Sequence, residues 1–166
     1  MLQETYHRLD FLSPRDIFVA TSAQYEQLVF EQLPALPKDR IIVEPAMRDT
    51  GPCICFAAHR LAELGLRDEI MSIIYADHLI QKTDAFQKAL EFAARHIQQT
   101  NKLGVIAVCA KYPNTNLGYI RIGKSIINGE KGYETYELDR FVEKPTFEKA
   151  KKFLTSFKYL WNTGLY

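Results

Sequence analysis

Ile17-Phe18-Val19-Ala20-Thr21-Ser22-Ala23-Gln24-Tyr25-Glu26-Gln27-Leu28-Val29-Phe30-Glu31-Gln32-Leu33 reads as a strand that turns directly into a helix. Ile17 to Thr21 is a short run of β-favouring residues. Thr21-Ser22-Ala23-Gln24 has the pattern of a capping box, in which Gln24 reaches back to the backbone of Thr21. Tyr25, Leu28, Val29 and Leu33 follow at helical spacing. Pro34 and Pro37 stop the helix, and Ile41-Ile42-Val43 begins another strand. Strand, helix and strand in succession predict parallel strands joined by a right-handed crossover.

The pattern continues outward. Thr50-Gly51-Pro52 opens a second helix, with the proline where a missing N–H costs little. Ala57, Ala58, Leu61 and Leu64 form its apolar stripe, and Gly65 suits its C-terminal cap. Ile70-Met71-Ser72-Ile73-Ile74-Tyr75 is a nearly unbroken apolar run, as in a strand covered on both faces. Asp84 opens a third helix, with Phe86, Leu90, Ala93, Ala94 and Ile97 on one side. Gly104 to Cys109 is a further strand. These units predict an α/β fold with a parallel sheet and helices on both faces. The second half changes character. Tyr119-Ile120-Arg121-Ile122 and Tyr133 to Leu138 alternate around Asn128-Gly129-Glu130-Lys131-Gly132, which predicts an antiparallel ribbon. A helix over 146–157 and a closing strand, Tyr159-Leu160-Trp161, complete the chain. No repeat, low-complexity tract or linker marks a domain boundary. Met1 to Leu9 reads as a helix with Leu2, Tyr6 and Leu9 on one face, and no strand precedes it, although an open α/β domain usually begins with one.

Composition excludes several classes. The 166 residues carry a formal net charge of +1, so no basic field argues for nucleic acid. The run Glu148-Lys149-Ala150-Lys151-Lys152 reads as a solvated helix face. Three cysteines, Cys53, Cys55 and Cys109, show no Cys-x-x-Cys spacing. They are expected to be buried free thiols in a reducing cytoplasm. No apolar run reaches membrane-spanning length, and the polar first residues are unlike a secretory signal.

Ligands of open α/β sheets sit beyond the carboxyl ends of the strands. Asp77 stands there, in Tyr75-Ala76-Asp77-His78. It either holds magnesium, which takes one or two carboxylates plus phosphate oxygens, or caps the next turn. His78 is either a ligand or acid–base group or, as is commoner for a lone His beside a turn, a hydrogen-bonded structural residue. The loop Glu44-Pro45-Ala46-Met47-Arg48-Asp49-Thr50-Gly51 enters a helix N-terminus and suits a purine edge or an anion, or is an ordinary salt-bridged cap. Glu143 and Lys144, in Phe141-Val142-Glu143-Lys144-Pro145, would point to opposite faces of a regular strand and need a bend to serve one ligand. Asn162, in Trp161-Asn162-Thr163-Gly164, offers donor and acceptor to sugar hydroxyls, or simply forms a turn. There is no Walker motif and no Gly-x-Gly-x-x-Gly.

Together these segments resemble the nucleotidyltransferase domain of bacterial mannose-1-phosphate guanylyltransferases (GDP-mannose pyrophosphorylases). The matching motifs are Glu44-Pro45-x-x-Arg48-Asp49-Thr50-x-Pro52, Ala76-Asp77-His78-x-Ile80, Gly118-Tyr119-Ile120, Phe141 to Pro145 and Trp161-Asn162-x-Gly164, in order over nearly the whole chain. The resemblance implies a three-layer, Rossmann-like fold with a mixed, mostly parallel sheet. It implies that GTP and mannose 1-phosphate are joined to give GDP-mannose and pyrophosphate, with Mg2+ held by Asp77. Arg48, Asp49, Thr50 and Pro52 would lie by the guanine. Gly118, Glu143, Lys144 and Asn162 would bind the sugar phosphate, with Lys144 supplying charge and Glu143 and Asn162 reading hydroxyls. Asp77 and Lys144 are the catalytic candidates.

This sequence departs from the family pattern. Its glycine-rich, Arg-containing loop and the stretch beyond the Trp-Asn motif have no counterpart here, so residues 1–166 are expected to form a single partial domain. Tyr75 replaces a proline, Gly51 an alanine, and Asn116-Leu117 a Gly-Tyr pair. The expectation is that this chain alone turns over little substrate, because lost transition-state donors cost roughly two or more powers of ten in rate. A non-catalytic sugar-phosphate module, a module completed by a partner, and a pyrophosphorylase for another base are the alternatives. A missing central strand would favour self-association or strand donation.

Overall fold

A computed structural model describes residues 1–127 and 132–166. The chain is a mixed α/β protein that packs as two compact units, Met1–Gln87 and Lys88–Tyr166.

In the first unit, α1 (Leu2–His7) buries Thr5 and Tyr6. β1 (Val19–Ser22) and β2 (Ile41–Glu44) pair in parallel, from Val19 opposite Ile41 to Ser22 opposite Glu44. The crossover contains α2 (Glu26–Gln32). Tyr6, Leu9, Ile17, Val29, Leu33, Leu36, Ile42 and Phe86 are the buried apolar residues. The strand–helix–strand reading is therefore borne out. The capping box is not. Ser22, not Thr21, takes the N-cap position, and its side chain makes no cap bond. A 3-10 turn over Ala23–Tyr25 intervenes, and α2 starts at Glu26 without a side-chain cap bond. Tyr25 and Leu28 consequently face solvent.

α3 (Thr50–Glu63) carries Pro52 in its first turn. It ends as expected at Gly65, whose φ is 81°. The Gly65 N–H donates to the Ala62 carbonyl at 3.1 Å and the Leu66 N–H to the Leu61 carbonyl at 3.0 Å, the paired bonds of a Schellman cap. Ile70–Tyr75 is a correction. The run lies outside every ladder, and Met71, Ile73, Ile74 and Tyr75 are only half-buried. An apolar run signals a demand for burial, but a strand also needs a partner edge, and β1 and β2 pair only with each other among the described residues.

α4 spans Thr83–Thr100. The second unit is built on β3 (Ile106–Cys109), β4 (Tyr119–Ile127), β5 (Thr135–Val142) and β6 (Tyr159–Leu165), in the order β3-β6-β4-β5. Every neighbouring pair is antiparallel. The ribbon is thus β4–β5, and its expected turn lies largely outside the described residues. β3 does not extend a parallel sheet, because its neighbour is the chain's last strand running the other way. α5 (Phe147–Ser156) turns Ala150 inward and leaves Glu148, Lys149, Lys151 and Lys152 exposed, so the charge run is a solvated face. Phe153 of α5 lies 3.8 Å from the stacked Tyr159 ring and 5.3 Å from Tyr119. Tyr119 is fully buried, and its hydroxyl accepts the Asn114 N–H at 2.9 Å.

Candidate functional site

In the first unit, the chain leaves β2 at Glu44 and turns into α3 through exposed Arg48, Asp49 and Thr50; Pro52 is exposed as well. Asp49 has φ 64° and ψ −178°, a region almost reserved for glycine and costing about 1–3 kcal/mol. It precedes the helix without making a side-chain cap bond, so its carboxylate stays available beside the open first-turn N–H groups of Thr50 and Gly51.

Asp77 lies in a separate turn of the same unit and is exposed. The preceding carbonyl, of Ala76, accepts a hydrogen bond from Thr5 Oγ1 at 3.1 Å. The His78 ring sits 5.5 Å from Tyr75 at a 52° tilt, which fits a packed structural role. Among the described residues, no group of three or more His, Cys, Asp or Glu side chains gathers to hold a metal. Magnesium in phosphoryl-transfer sites is commonly held by one or two carboxylates, waters and substrate phosphates, so the test falls on single exposed carboxylates. Asp77 fits that role, having no ion pair among the described residues.

In the second unit, the four expected sugar-phosphate residues meet. The Asn162 N–H donates to the Gly118 carbonyl at 2.9 Å. A Cβ on Gly118 would stand 2.8 Å from Glu143 Oε2 and 3.6 Å from Asn162 Cβ, so the absent side chain is what lets those two groups converge. The bend that Glu143 and Lys144 require is present. β5 ends at Val142, Lys144 adopts φ 39°, and Lys144 Nζ comes within 3.6 Å of Glu143 Oε1. Both side chains are exposed, while Pro145 behind them is buried.

Asn162 corrects another expectation. Trp161-Asn162-Thr163-Gly164 lies inside β6 rather than in a turn after it. Ile106 of β3 pairs with Leu165 and Ala107 with Asn162, so two additional residues bulge from β6 at Thr163 and Gly164. Gly164, at φ 72°, makes this feasible. Asn162 Oδ1 accepts the Gly164 N–H at 3.0 Å, and Asn162 Nδ2 donates to Tyr166 Oη at 3.3 Å. A bulge commonly re-aims a side chain beside a functional site. Thr5 and Tyr166 are contributors that no motif announced; the Thr5 bond spans 71 residues of sequence.

Of the candidate residues, Gly118 and Asn162 are half-buried and the others are exposed. Two shallow clefts lie elsewhere, one of about 400 Å³ lined by Arg121, Lys124, Asp139 and Lys158 among others, the second of about 430 Å³ between β2 and α3. Chemistry rather than concavity marks the site. The thiols also differ from expectation: Cys55 and Cys109 are exposed and Cys53 is half-buried, and all three are free. The Cys53 thiol is pushed up to about 11 by burial first, then by its hydrogen bond to Glu44 and the nearby Glu44 charge.

The fold is mixed α/β, with the exposed Asp77 turn in the first unit and the Gly118, Glu143, Lys144 and Asn162 cluster in the second. Residues 1–166 match the family model described as nucleotidyl transferase, and the chain belongs to that family. It is 36% identical over 169 residues to the mannose-1-phosphate guanylyltransferase of Escherichia coli (strain K12), covering 100% of this chain and 35% of that one. It is 34% identical over 168 residues to that of Klebsiella pneumoniae, with 100% and 35% covered. The solved structure described as mannose-1-phosphate geranyltransferase from Thermus thermophilus superposes with a TM-score of 0.78 at 26% identity, over 99% of this chain and 45% of that one. Mannose-6-phosphate isomerase from Helicobacter pylori gives 0.76 at 22% identity over 99% and 59%, a likeness of fold alone. The chain spans about a third of the length of the curated relatives it matches. The Rossmann-like class inferred from sequence is thereby supported. Among the described residues, no helix is long and apolar enough to cross a membrane.

Proposed function

We propose that the protein acts as a mannose-1-phosphate guanylyltransferase, joining GTP and mannose 1-phosphate to give GDP-mannose and pyrophosphate. The convergence of Gly118, Glu143 and Asn162, with Lys144 beside them, is the observation that carries this reading. Asn162, fixed by Gly164 and Tyr166, presents an amide to sugar hydroxyls, and Glu143 accepts from a second hydroxyl. Lys144 Nζ holds the sugar phosphate. Its ion pair with Glu143 joins two exposed groups and is worth at most about 1 kcal/mol, so a phosphate displaces it readily. An oxygen of that phosphate attacks the α-phosphorus of GTP in line, and the bond to the β-phosphate breaks as pyrophosphate leaves. Asp77 would hold the Mg2+ ion, which supplies charge neutralisation at the reacting phosphates when bound. Arg48, Asp49, Thr50 and Pro52 lie by the base. The Asp49 carboxylate suits the N1–H and amino donors of guanine, which uracil and thymine do not offer as a pair. Three free thiols accord with a cytoplasmic setting.

Calorimetric titration of mannose 1-phosphate, GTP, UTP and dTTP into the purified chain tests the proposal, with GDP-mannose formation measured in parallel. Lys144→Ala should weaken mannose 1-phosphate by about tenfold, the worth of a charge-assisted hydrogen bond. Equal affinity in the variant, or no preference for GTP, would refute the assignments.

A second reading has its own support. β1 and β2 form a two-stranded sheet, and Tyr6 Oη, Arg8 Nη1, Ser22 Oγ and Arg40 Nε of the same unit are buried without a partner among the described residues. Such a unit suits completion by a strand from a second copy, with binding rather than turnover as its role. Light scattering of the purified chain distinguishes a monomer from that assembly.

A further inference from the structure

Thr5 and Arg8 are the buried polar residues of α1 and its end, 7% and 9% exposed. Arg8 Nη2 donates a long hydrogen bond to Thr5 Oγ1 at 3.4 Å. Thr5 Oγ1 in turn donates to the Ala76 carbonyl at 3.1 Å. A hydroxyl has one proton and two lone pairs. With a guanidinium N–H on one lone pair, the single proton is left for the carbonyl. The acceptor is the residue immediately before Asp77. Burying a guanidinium is costly, and Arg8 Nη1 is left without any partner among the described residues. An aliphatic side chain would fill this part of the core at less cost, so packing does not account for the residue.

We infer that Thr5 and Arg8 are positioning residues: together they pin the turn that carries Asp77 and so fix where its carboxylate stands. The metal consequence of this rests on the proposed role of Asp77; the pinning itself does not. α1 therefore contributes to the site without touching substrate. The sequence explains why such a clamp is useful here. Ile70–Tyr75 enters no ladder, so the turn after it lacks the support a paired strand would give.

Two readouts on the whole chain test the inference. The first is amide hydrogen exchange of a peptide covering residues 76–79. The second is titration with Mn2+ alone, followed by water-proton relaxation. Thr5→Val keeps the side-chain shape and removes the hydroxyl; Thr5→Ser restores it; Asp77→Asn removes the carboxylate. In Thr5→Val, exchange at 76–79 should quicken and Mn2+ affinity should fall roughly two- to tenfold, the range one hydrogen bond covers. Thr5→Ser should behave as the unaltered chain, and Arg8→Lys should lie between. Circular dichroism confirms that each variant is folded. Unchanged exchange in folded Thr5→Val would overturn the clamp. Quickened exchange with Mn2+ binding insensitive to Asp77→Asn would uphold the clamp and remove Asp77 from the metal site. Mn2+ binding lost in Asp77→Asn but untouched in Thr5→Val would uphold Asp77 and overturn the positioning role.

Discussion

Cys53 lies in the first full turn of α3, where a helix N-terminus ordinarily favours the thiolate. Burial and the Glu44 carboxylate outweigh that effect and push the thiol from the ordinary 9.0 to about 11. At pH 8 this leaves roughly a hundredfold less thiolate than an ordinary cysteine has. Iodoacetamide at pH 8 should therefore modify exposed Cys55 and Cys109 first and Cys53 last, as read by peptide mass spectrometry. Glu44→Gln removes the charge but not the burial, so it should quicken Cys53 labelling without equalising it. Gly118→Ala should act through Glu143. Its Cβ would meet the far end of a flexible side chain, so the carboxylate swings away while the strands stay put. The melting temperature should hardly move, and mannose 1-phosphate affinity should fall roughly three- to tenfold. At this scale the residue types were legible, because short motifs such as Glu143-Lys144-Pro145 carry their chemistry with them. The backbone that deploys them was not. Nothing in the letters announced positive φ at Lys144, nor at Asp49 a positive φ joined to an extended ψ, a region almost confined to glycine.

α5 ends on Phe157, which is left-handed at φ 53° and 89% exposed. A β-carbon costs about 1–2 kcal/mol in that conformation, and glycine returns part of the gain as unfolded-state entropy. Phe157→Gly should thus stabilise the chain by about 0.5–1 kcal/mol and raise the melting temperature by roughly 1–4 °C. A lower melting temperature would show that the exposed ring makes a contact the helix needs. Among the elements, those with local signals were readable: the β1–α2–β2 unit, the α3 cap at Gly65, the amphipathic α5 and the β4–β5 ribbon. The failures are long-range. Ile70–Tyr75 has the composition of a strand and no partner strand among the described residues, and β3 finds an antiparallel partner 51 or more residues onward in β6. Pairing partners are a property of the whole sheet, and no single window of sequence contains them.

For the molecule as a whole, the near-balance of charge sets a clear expectation. With a formal net charge of +1, the chain should pass through a heparin column at about 0.15 M salt, where proteins built on phosphate contacts are retained. Retention would point to a local basic surface, for which the cleft at Arg121, Lys124 and Lys158 is the obvious place. The family was readable because several short motifs occur in a fixed order, whereas the division into two units has no signature in composition. The β6 bulge has a consequence of another kind. One residue step along β3, from Ile106 to Ala107, is matched by three along β6, from Leu165 to Asn162. The aim of the Asn162 amide is therefore written in the count of residues as much as in their identity. Point changes at Thr163 leave that count intact. Deleting Thr163 and Gly164 together would let regular pairing close over the gap, and a well-formed sheet would be the very thing that takes the amide out of place.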